Sequence, residues 1–412
     1  MKESVAIIGA GVSGLSTAHF LKNKFNVTLF EKESTPGGLI RCERINGSLF
    51  HTCGGHVFNS KRKDVLEWFW NIFDVNNEFS KADRNSVVYM ENIKAIPYPI
   101  ENHMYLFKEE IQKDFINDLL RMKVNEGNTP HNFEEFLKGR FGETLYKLYF
   151  KPYNEKVWRR DLSKVPLTWL EGKLPMPTVE EMIYNNMNHI EEKAFVHSSF
   201  WYEKKNGSQY LANKLAEGLN IRYNSDIQEI SYDNGKWNIN NESFDKVVFC
   251  GNIKQLPTLI KNVSLDKYKA SIDELEYHGT TAVFCEIDKN PYSWIYLPDT
   301  SHESHRIICT GNFSKTNNAE GKMTATIEFT DYISEEDINK NLNKIPLNPK
   351  YLAHHYSKYT YPIQDTKTKS LISNIKSDLK EYNFYMTGRF ADWEYYNMDV
   401  AMGAAMDLCK TF

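Results

Sequence analysis

Three glycines near the start of the chain stand at the spacing that the phosphates of a dinucleotide require. The run Ser4-Val5-Ala6-Ile7-Ile8 is short, apolar and β-rich, and Gly9, Gly11 and Gly14 follow it as G-x-G-x-x-G. In that pattern Gly9 allows a tight turn, Gly11 admits a pyrophosphate to the main chain, and Gly14 lets helix and strand approach. Val12 and Ser13 then open a helix whose first N–H groups point at anionic oxygens. Glu31 stands about 17 residues beyond Gly14, at the end of a second apolar run. An acid near that position grips a ribose hydroxyl.

Two further glycine pairs bear on which dinucleotide it is. Gly37-Gly38 precedes Leu39, and Gly54-Gly55 precedes His56. Main chain freed of side chains at these points can lie against a large flat ligand, which favours FAD over NAD. Far along the chain, Gly388-Arg389 follows the strand-like Phe384-Tyr385-Met386 and precedes a helix beginning near Asp399. A helix N-terminus and a guanidinium there would steady the anionic edge of a reduced flavin. The helix end alone contributes ~0.3–1 kcal/mol, more when partly buried.

These groups must be carried by a chain of 412 residues, long enough for two or three domains. A formal net charge of −4 gives no polyelectrolyte surface, so nucleic acid is not an expected partner. The six cysteines form no C-x-x-C and no metal-like pairing with histidine. They read as reduced thiols in a cytoplasmic protein without a metal. Glu3 and the spaced glycines argue against a signal peptide, and no run approaches the ~18 apolar residues of a membrane span.

The expected fold class is α/β: a Rossmann-like FAD-binding domain, an inserted helical domain and an antiparallel-sheet substrate domain. The FAD-binding part is discontinuous, at 1–60, 205–250 and 384–412. Residues 61–175 read as the helical insertion, where Ile111, Phe115, Leu119 and Met122 fall at helical spacing. Within it, Val87 to Met90 suggests a small hairpin ending at Ile96, and Pro97 and Pro99 keep Tyr98 out of any helix. Ser208 is a plausible N-cap for a helix carrying Leu211, Leu215 and Leu219. Short strands follow, one of them from Ile227. Residues 176–204 and 251–383 read as the substrate domain, with strands near Thr281, Trp294, Arg306 and Thr324.

Several motifs occur in an order that resembles the UDP-galactopyranose mutase family from end to end. Gly55-His56-Val57-Phe58 is similar to its glycine-histidine motif, and Ile96-Pro97-Tyr98-Pro99 to its Pro-Tyr-Pro segment. Pro152-Tyr153-Asn154-Glu155-Lys156-Val157-Trp158, Tyr361-Pro362 and Gly388-Arg389-Phe390 with Tyr395 and Met398-Asp399 match three more. The resemblance implies a redox-neutral enzyme holding FAD that is active when reduced. Flavin N5 would attack the anomeric carbon of a nucleotide-diphosphate sugar, and the ring would reclose as a furanose for cell-surface polysaccharide or glycan precursors.

It further implies cofactor contacts from Gly9, Gly11, Val12, Ser13, Gly14, Glu31, Gly38, Leu39, Gly55, Ile227, Gly388, Met398, Asp399 and Val400. His56 and Arg389 would touch both cofactor and chemistry. Tyr98, Glu101, Asn154, Trp158, Lys173, Tyr277, Tyr361 and Tyr395 would line the substrate site. NAD(P)H or another reductant would supply electrons, and a homodimer is one assembly it allows. The pattern departs from the family at the diphosphate clamp. Lys173 stands in the mobile loop where the family has arginine, His278 stands where many members carry arginine in the sheet, and Glu101 replaces a glutamine. Two other readings remain open: a FAD-dependent oxidoreductase of the amine-oxidase or protoporphyrinogen-oxidase type, and a flavin-binding protein without catalysis.

Overall fold

Residues 2–91, 93–124, 129–167, 177–190 and 199–412 are described by a computed structural model. The strand Ser4–Ile8 is the centre of a five-stranded parallel sheet, ordered Phe384–Met386, Lys246–Phe249, Ser4–Ile8, Asn26–Phe30, Ile221–Arg222. Both faces of this strand are covered, so its residues are apolar throughout and do not alternate. Val5 and Ile7 pack against the first helix, Val12–Leu21, and the last, Met398–Cys409. Ala6 and Ile8 face the opposite core, which takes in Ile372, Ile375 and Leu379 of the helix Thr368–Lys380. Gly14 permits the approach of first helix to first turn: a Cβ there would lie 1.9 Å from the Gly9 carbonyl oxygen.

An antiparallel meander, Ile230–Asp233, Lys236–Ile239 and Glu242–Phe244, adjoins this sheet and is completed by Ile260–Lys261. Trp237 anchors it, fully buried, with its indole N–H donating to the Tyr382 carbonyl at 2.7 Å. Truncating an aromatic in such a place costs about 3–5 kcal/mol.

The larger sheet has seven strands, ordered Lys350–Pro362, Tyr277–Glu286, Thr324–Thr330, Arg306–Ile308, Trp294–Tyr296, Ser86–Met90, Lys94–Pro97. Neighbours are antiparallel except for Trp294–Tyr296 beside Ser86–Met90. The hairpin expected at Val87 is present, but it is part of this sheet and not of a helical insertion spanning 61–175. Val87 packs with Ile295 and Ile307 on one side, and Val88 packs under the helices on the other. A two-stranded hairpin alone could not cover both faces.

The helices Glu109–Val124, Phe133–Leu145, Lys151–Trp158 and Val179–Asn188 form a layer around Phe133, Leu137, Phe141 and Tyr149. Thr178 and Glu181 close a capping box on the last of these, a device worth about 1 kcal/mol. Gly142, at φ +83°, kinks the second, where a Cβ would meet Asp118 Cβ at 2.6 Å. A π-helical turn, Tyr146–Phe150, then leads directly into Lys151–Trp158. Such turns cluster at functional sites.

Ser208 does not cap its helix. Gly207 takes the N-cap place at φ +58°, and Ser208 is the first helical residue, its hydroxyl drawn instead to the Ile40 carbonyl. All six cysteines are free thiols, and no helix among the described residues is long and apolar enough to cross a membrane.

Candidate active site

Main chain builds the dinucleotide end of the site. Gly9 N–H donates to the Phe30 carbonyl at 2.8 Å, and Gly37 N–H to the Ala10 carbonyl at 2.9 Å, so the two glycine turns are tied together. A Cβ on Gly11 would meet nothing within 4 Å, while one on Gly38 would lie 3.4 Å from Gly11 Cα. Space is therefore kept open over Gly11, where a phosphate must enter. No side chain caps the helix Val12–Leu21 or the helix Met398–Cys409. Their free N–H groups leave about half a positive charge at each end.

Glu31 is buried, and its carboxylate accepts from Ala10 N–H at 2.7 Å and Glu33 N–H at 3.0 Å. It thus holds the first turn as well as standing at the ribose position. Gly388, at φ +120°, closes against the first helix, where a Cβ would come 3.0 Å from Ser13 Oγ. Its N–H is held by the buried Asp392 at 3.1 Å. Asp399 lies in the first turn of the last helix, and Met398 is buried beneath it. The Val400 side chain is exposed. Ile227 packs in the core with Ile8 and Phe30.

His56 and Arg389 are the two residues expected beside the flavin. The His56 ring lies over Gly54, and its Nε2 is 3.0 Å from the Leu39 carbonyl. A carbonyl only accepts, so Nε2 carries the proton. Burial, and then the Arg389 charge, lower the His56 pKa to about 4, which keeps the ring neutral with a bare Nδ1. Arg389 spreads its guanidinium over the rings of Tyr395 at 4.2 Å and Tyr361 at 5.3 Å, and Nη1 donates to the Tyr396 carbonyl at 3.2 Å. Its Nε is buried with no hydrogen-bond partner among the described residues. A buried donor in that condition costs about 1–3 kcal/mol unless an acceptor fills it. Open space at Gly11, two uncapped helix ends and this orphaned donor together fit FAD.

Tyr361 and Tyr395 stack with ring centres 5.4 Å apart. The Tyr361 hydroxyl accepts from Arg306 Nη2 at 3.0 Å, and Arg306 Nε donates to Glu328. Arg306, Glu328 and Ala282 are direct partners across three adjacent strands and so share one face of the sheet. Glu328 is 1% exposed. Burial pushes its carboxyl up, but the charge of Arg306 and the hydrogen bonds from His305 and Arg306 together more than offset this and hold the pKa at about 2. The pair is thus ionised, with most of its surface out of water.

On the helical side, the Tyr98 ring packs on Tyr296 at 5.0 Å, and the Arg84 guanidinium lies 5.8 Å from Tyr98 while donating to the Tyr296 hydroxyl. Tyr153 links this group to the sheet, with Tyr296 at 5.6 Å and His305 at 6.4 Å. Asn154 is buried, its amide bound to the Phe150 carbonyl at 2.7 Å. Trp158 ends the same helix and packs on Phe133. Glu101 is buried in the turn Ile100–Asn102 that follows Tyr98.

Three expectations fare differently. Lys173 lies outside the described residues. His278, at the departure from the family's arginine, has Nδ1 paired with Asp331 at 2.9 Å and Nε2 donating to the Trp158 carbonyl at 2.8 Å, so both nitrogens serve the fold. Tyr277 packs on Tyr359 at 4.4 Å and on Trp393, within the core of the smaller sheet. An arginine of the sheet does stand beside Tyr361, at Arg306. Its signal was available, a charged residue opening the otherwise apolar strand Arg306–Ile308.

Comparison with known proteins agrees with this geometry. Residues 7–73 match the family model described as NAD(P)-binding Rossmann-like domain. A dTDP-fucopyranose mutase of Escherichia coli is 22% identical over 99% of this chain and 98% of its own length. A UDP-galactopyranose mutase of Mycoplasma pneumoniae is 20% identical over 97% of this chain and 94% of its own. A solved structure of reduced UDP-galactopyranose mutase superposes with a TM-score of 0.89 at 22% identity, covering 100% of this chain and 93% of that one. The fold is that of UDP-galactopyranose mutase, and the likeness to nucleotide-sugar pyranose mutases runs along nearly the whole chain.

Proposed function

We propose that this protein is a flavin-dependent nucleotide-diphosphate-sugar mutase that interconverts pyranose and furanose rings without net oxidation. The observation that carries the reading is the wall of Arg306, Tyr361, Tyr395 and Arg389 beside the cradle. Two guanidinium groups and two tyrosines suit a diphosphate that must leave the sugar, wait and return. A fork of parallel N–H donors holds such a group in orientation as well as in place. An amine or porphyrinogen oxidase needs an apolar passage to the flavin instead, and Arg306 with the ionised Glu328 opposes that.

Held by the glycine turns and the two helix ends, reduced FAD would supply an electron-rich nitrogen as nucleophile toward the anomeric carbon. The protein's own share is positioning, which for well-oriented groups reaches effective molarities of about 10⁵ M or more. Arg306 binds diphosphate oxygens while Glu328 fixes its fork. Tyr361 and Tyr395 exclude water from the departed group. Tyr98, Tyr153, Asn154 and Trp158 form the nucleotide side, and Lys173 contributes a further cation. Neutral His56 presents Nδ1 as an acceptor beside the flavin. We further propose a cytoplasmic protein whose flavin is reduced by NAD(P)H or a similar donor.

The test is anaerobic incubation of the FAD-loaded protein with dTDP- and UDP-hexopyranoses, before and after dithionite, followed by NMR of the anomeric protons. Furanose signals only after reduction are expected. Hydrogen peroxide formed from an amine or porphyrinogen in a parallel incubation under air, with no furanose from any donor, would favour the oxidase.

A further inference from the structure

The two walls of the proposed substrate site belong to different layers, and one side chain fastens them together. Tyr153, Asn154 and Trp158 stand on the helix Lys151–Trp158, while Arg306 stands in the sheet, on a hairpin in which Tyr296 is its direct partner. Lys156, between Asn154 and Trp158 on the helix, is half-buried. Its Nζ donates to the Leu297 carbonyl at 2.9 Å and to the Ser304 carbonyl at 3.1 Å.

Those two carbonyls lie where the hairpin closes. Leu297 follows Tyr296, and its N–H donates to the His305 carbonyl at 2.9 Å. His305 precedes Arg306, and its own N–H donates to the Glu328 carbonyl at 3.1 Å. Leu297 and Ser304 are at most 1% exposed, so bulk water does not reach them. An amine keeps at least two hydrogens whether or not it is protonated, so both bonds of Lys156 hold in either state.

Tyr153 and Lys156 lie three residues apart and so share one face of the helix. Tyr153 sets its ring against Tyr296 at 5.6 Å and His305 at 6.4 Å, so ring and amine grip the same hairpin. The sheet in turn bonds the carboxyl end of the helix. Thr330 Oγ1 donates to the Val157 carbonyl at 3.4 Å, and His278 Nε2 to the Trp158 carbonyl at 2.8 Å. These satisfy carbonyls that a helix end leaves without partners. The ion pair Arg159–Glu303 spans the same gap at the surface, where such a pair contributes little. Lys156 reaches beneath it to the turn that leads into Arg306.

We propose that Lys156 is a positioning residue: by holding the Leu297 and Ser304 carbonyls it sets the spacing between the nucleotide wall on the helix and the diphosphate wall on the sheet. The inference rests on the mutase reading of the site. A substrate that touches both walls feels their spacing in its ground state and its transition state alike. Loosening the tie therefore weakens binding and leaves the chemical step.

Lys156→Met keeps the stem and removes both donors. Amide exchange of the FAD-loaded protein, followed by mass spectrometry, should then quicken in residues 297–306 and 151–158 and stay at the wild-type rate in residues 4–31. KM for the nucleotide sugar should rise about tenfold while kcat and FAD affinity hold, the mark of lost uniform binding. Lys156→Arg, which keeps donors and reach, should restore most of both readouts. Lys156→Gln, with its N–H groups on a shorter arm, should fall between, and it decides the matter if the methionine variant does not fold. Exchange at the wild-type rate in residues 297–306 of the variant overturns the proposal. So does quickened exchange with KM unchanged, which would make the tie structural alone. A wild-type protein that turns over no nucleotide sugar breaks the mutase reading instead, while the exchange rates still decide whether Lys156 holds the turn.

Discussion

On the proposed reading, recognition at the phosphate end of the site is done by main chain within residues 9–38, and at the sugar end by side chains from four separate segments. Gly9, Gly11, Gly14 and Gly38 act by what they lack, and their spacing is set by one turn, one helix and one strand. Arg306, Glu328, Tyr361 and Arg389 act by what they carry. They meet only because four strands hold their register and the Gly388 loop folds over them. A site of the first kind tolerates almost no added atom. One of the second kind tolerates volume but not the loss of a charge, since each buried ion leaves its partner stranded.

The largest effect expected from breaking this contrast is at the sugar end. Arg306→Met should strand the Glu328 carboxylate and destabilise the fold by about 3–5 kcal/mol, read by urea denaturation. Adding Glu328→Leu should recover most of that stability and none of the turnover. Recovery of turnover as well would mean that the pair is structural only.

At the phosphate end, two glycines three residues apart should separate cleanly. Gly14→Ala drives a Cβ into the Gly9 carbonyl and should cost about 3 kcal/mol of overpacking in the thermal unfolding of the apoprotein. Gly11→Ala meets no protein atom within 4 Å, so the apoprotein should melt as wild type does while FAD uptake falls at least tenfold. Equal melting losses in both variants would contradict the cradle.

Acid should act on both ends, through groups whose folded pKa values are depressed. His56 and His302 are lowered to about 4 and His51 to about 3, by burial first, against about 6.5 unfolded. The unfolded chain therefore binds more protons below that value. Stability should be level above pH ~6.5 and fall as the pH drops toward about 4. Glu328, held at about 2 against about 4.3 unfolded, contributes stability above that range which is lost on further acidification. Denaturant midpoints across a pH series check this, and Glu328→Gln should remove only the most acidic part of the slope. The smallest effect is expected of Tyr361→Phe, which gives up one bond to Arg306. It should cost about 1 kcal/mol in kcat/KM and leave FAD affinity unchanged.

The same contrast explains what could be read from residue order alone. The strand, glycine turn, helix, second strand and Glu31 follow each other within one βαβ unit, so local spacing was enough to expect the cradle. The Arg389 loop was visible as strand, glycine and helix for the same reason. Arg306 was not assigned, although its strand was, because nothing local says that it faces Glu328 or reaches Tyr361. That depends on the register of four strands spread from 277 to 362. The sheet position of the family's arginine was placed at His278 because Tyr277 beside it matches, and the fold turns that ring to Asp331 and the Trp158 carbonyl. The hairpin at Val87 was recognised from its alternation, but its place in the large sheet rests on a parallel pairing with Trp294–Tyr296 about 200 residues away.

The most direct test of the central claim is a count of furanose molecules formed per electron pair supplied to the flavin, measured anaerobically with a limiting amount of dithionite. Many products for each reduced flavin, with the reductant unspent, is the result expected of redox-neutral chemistry. One product per electron pair, or electrons consumed with the pyranose unchanged, would contradict it.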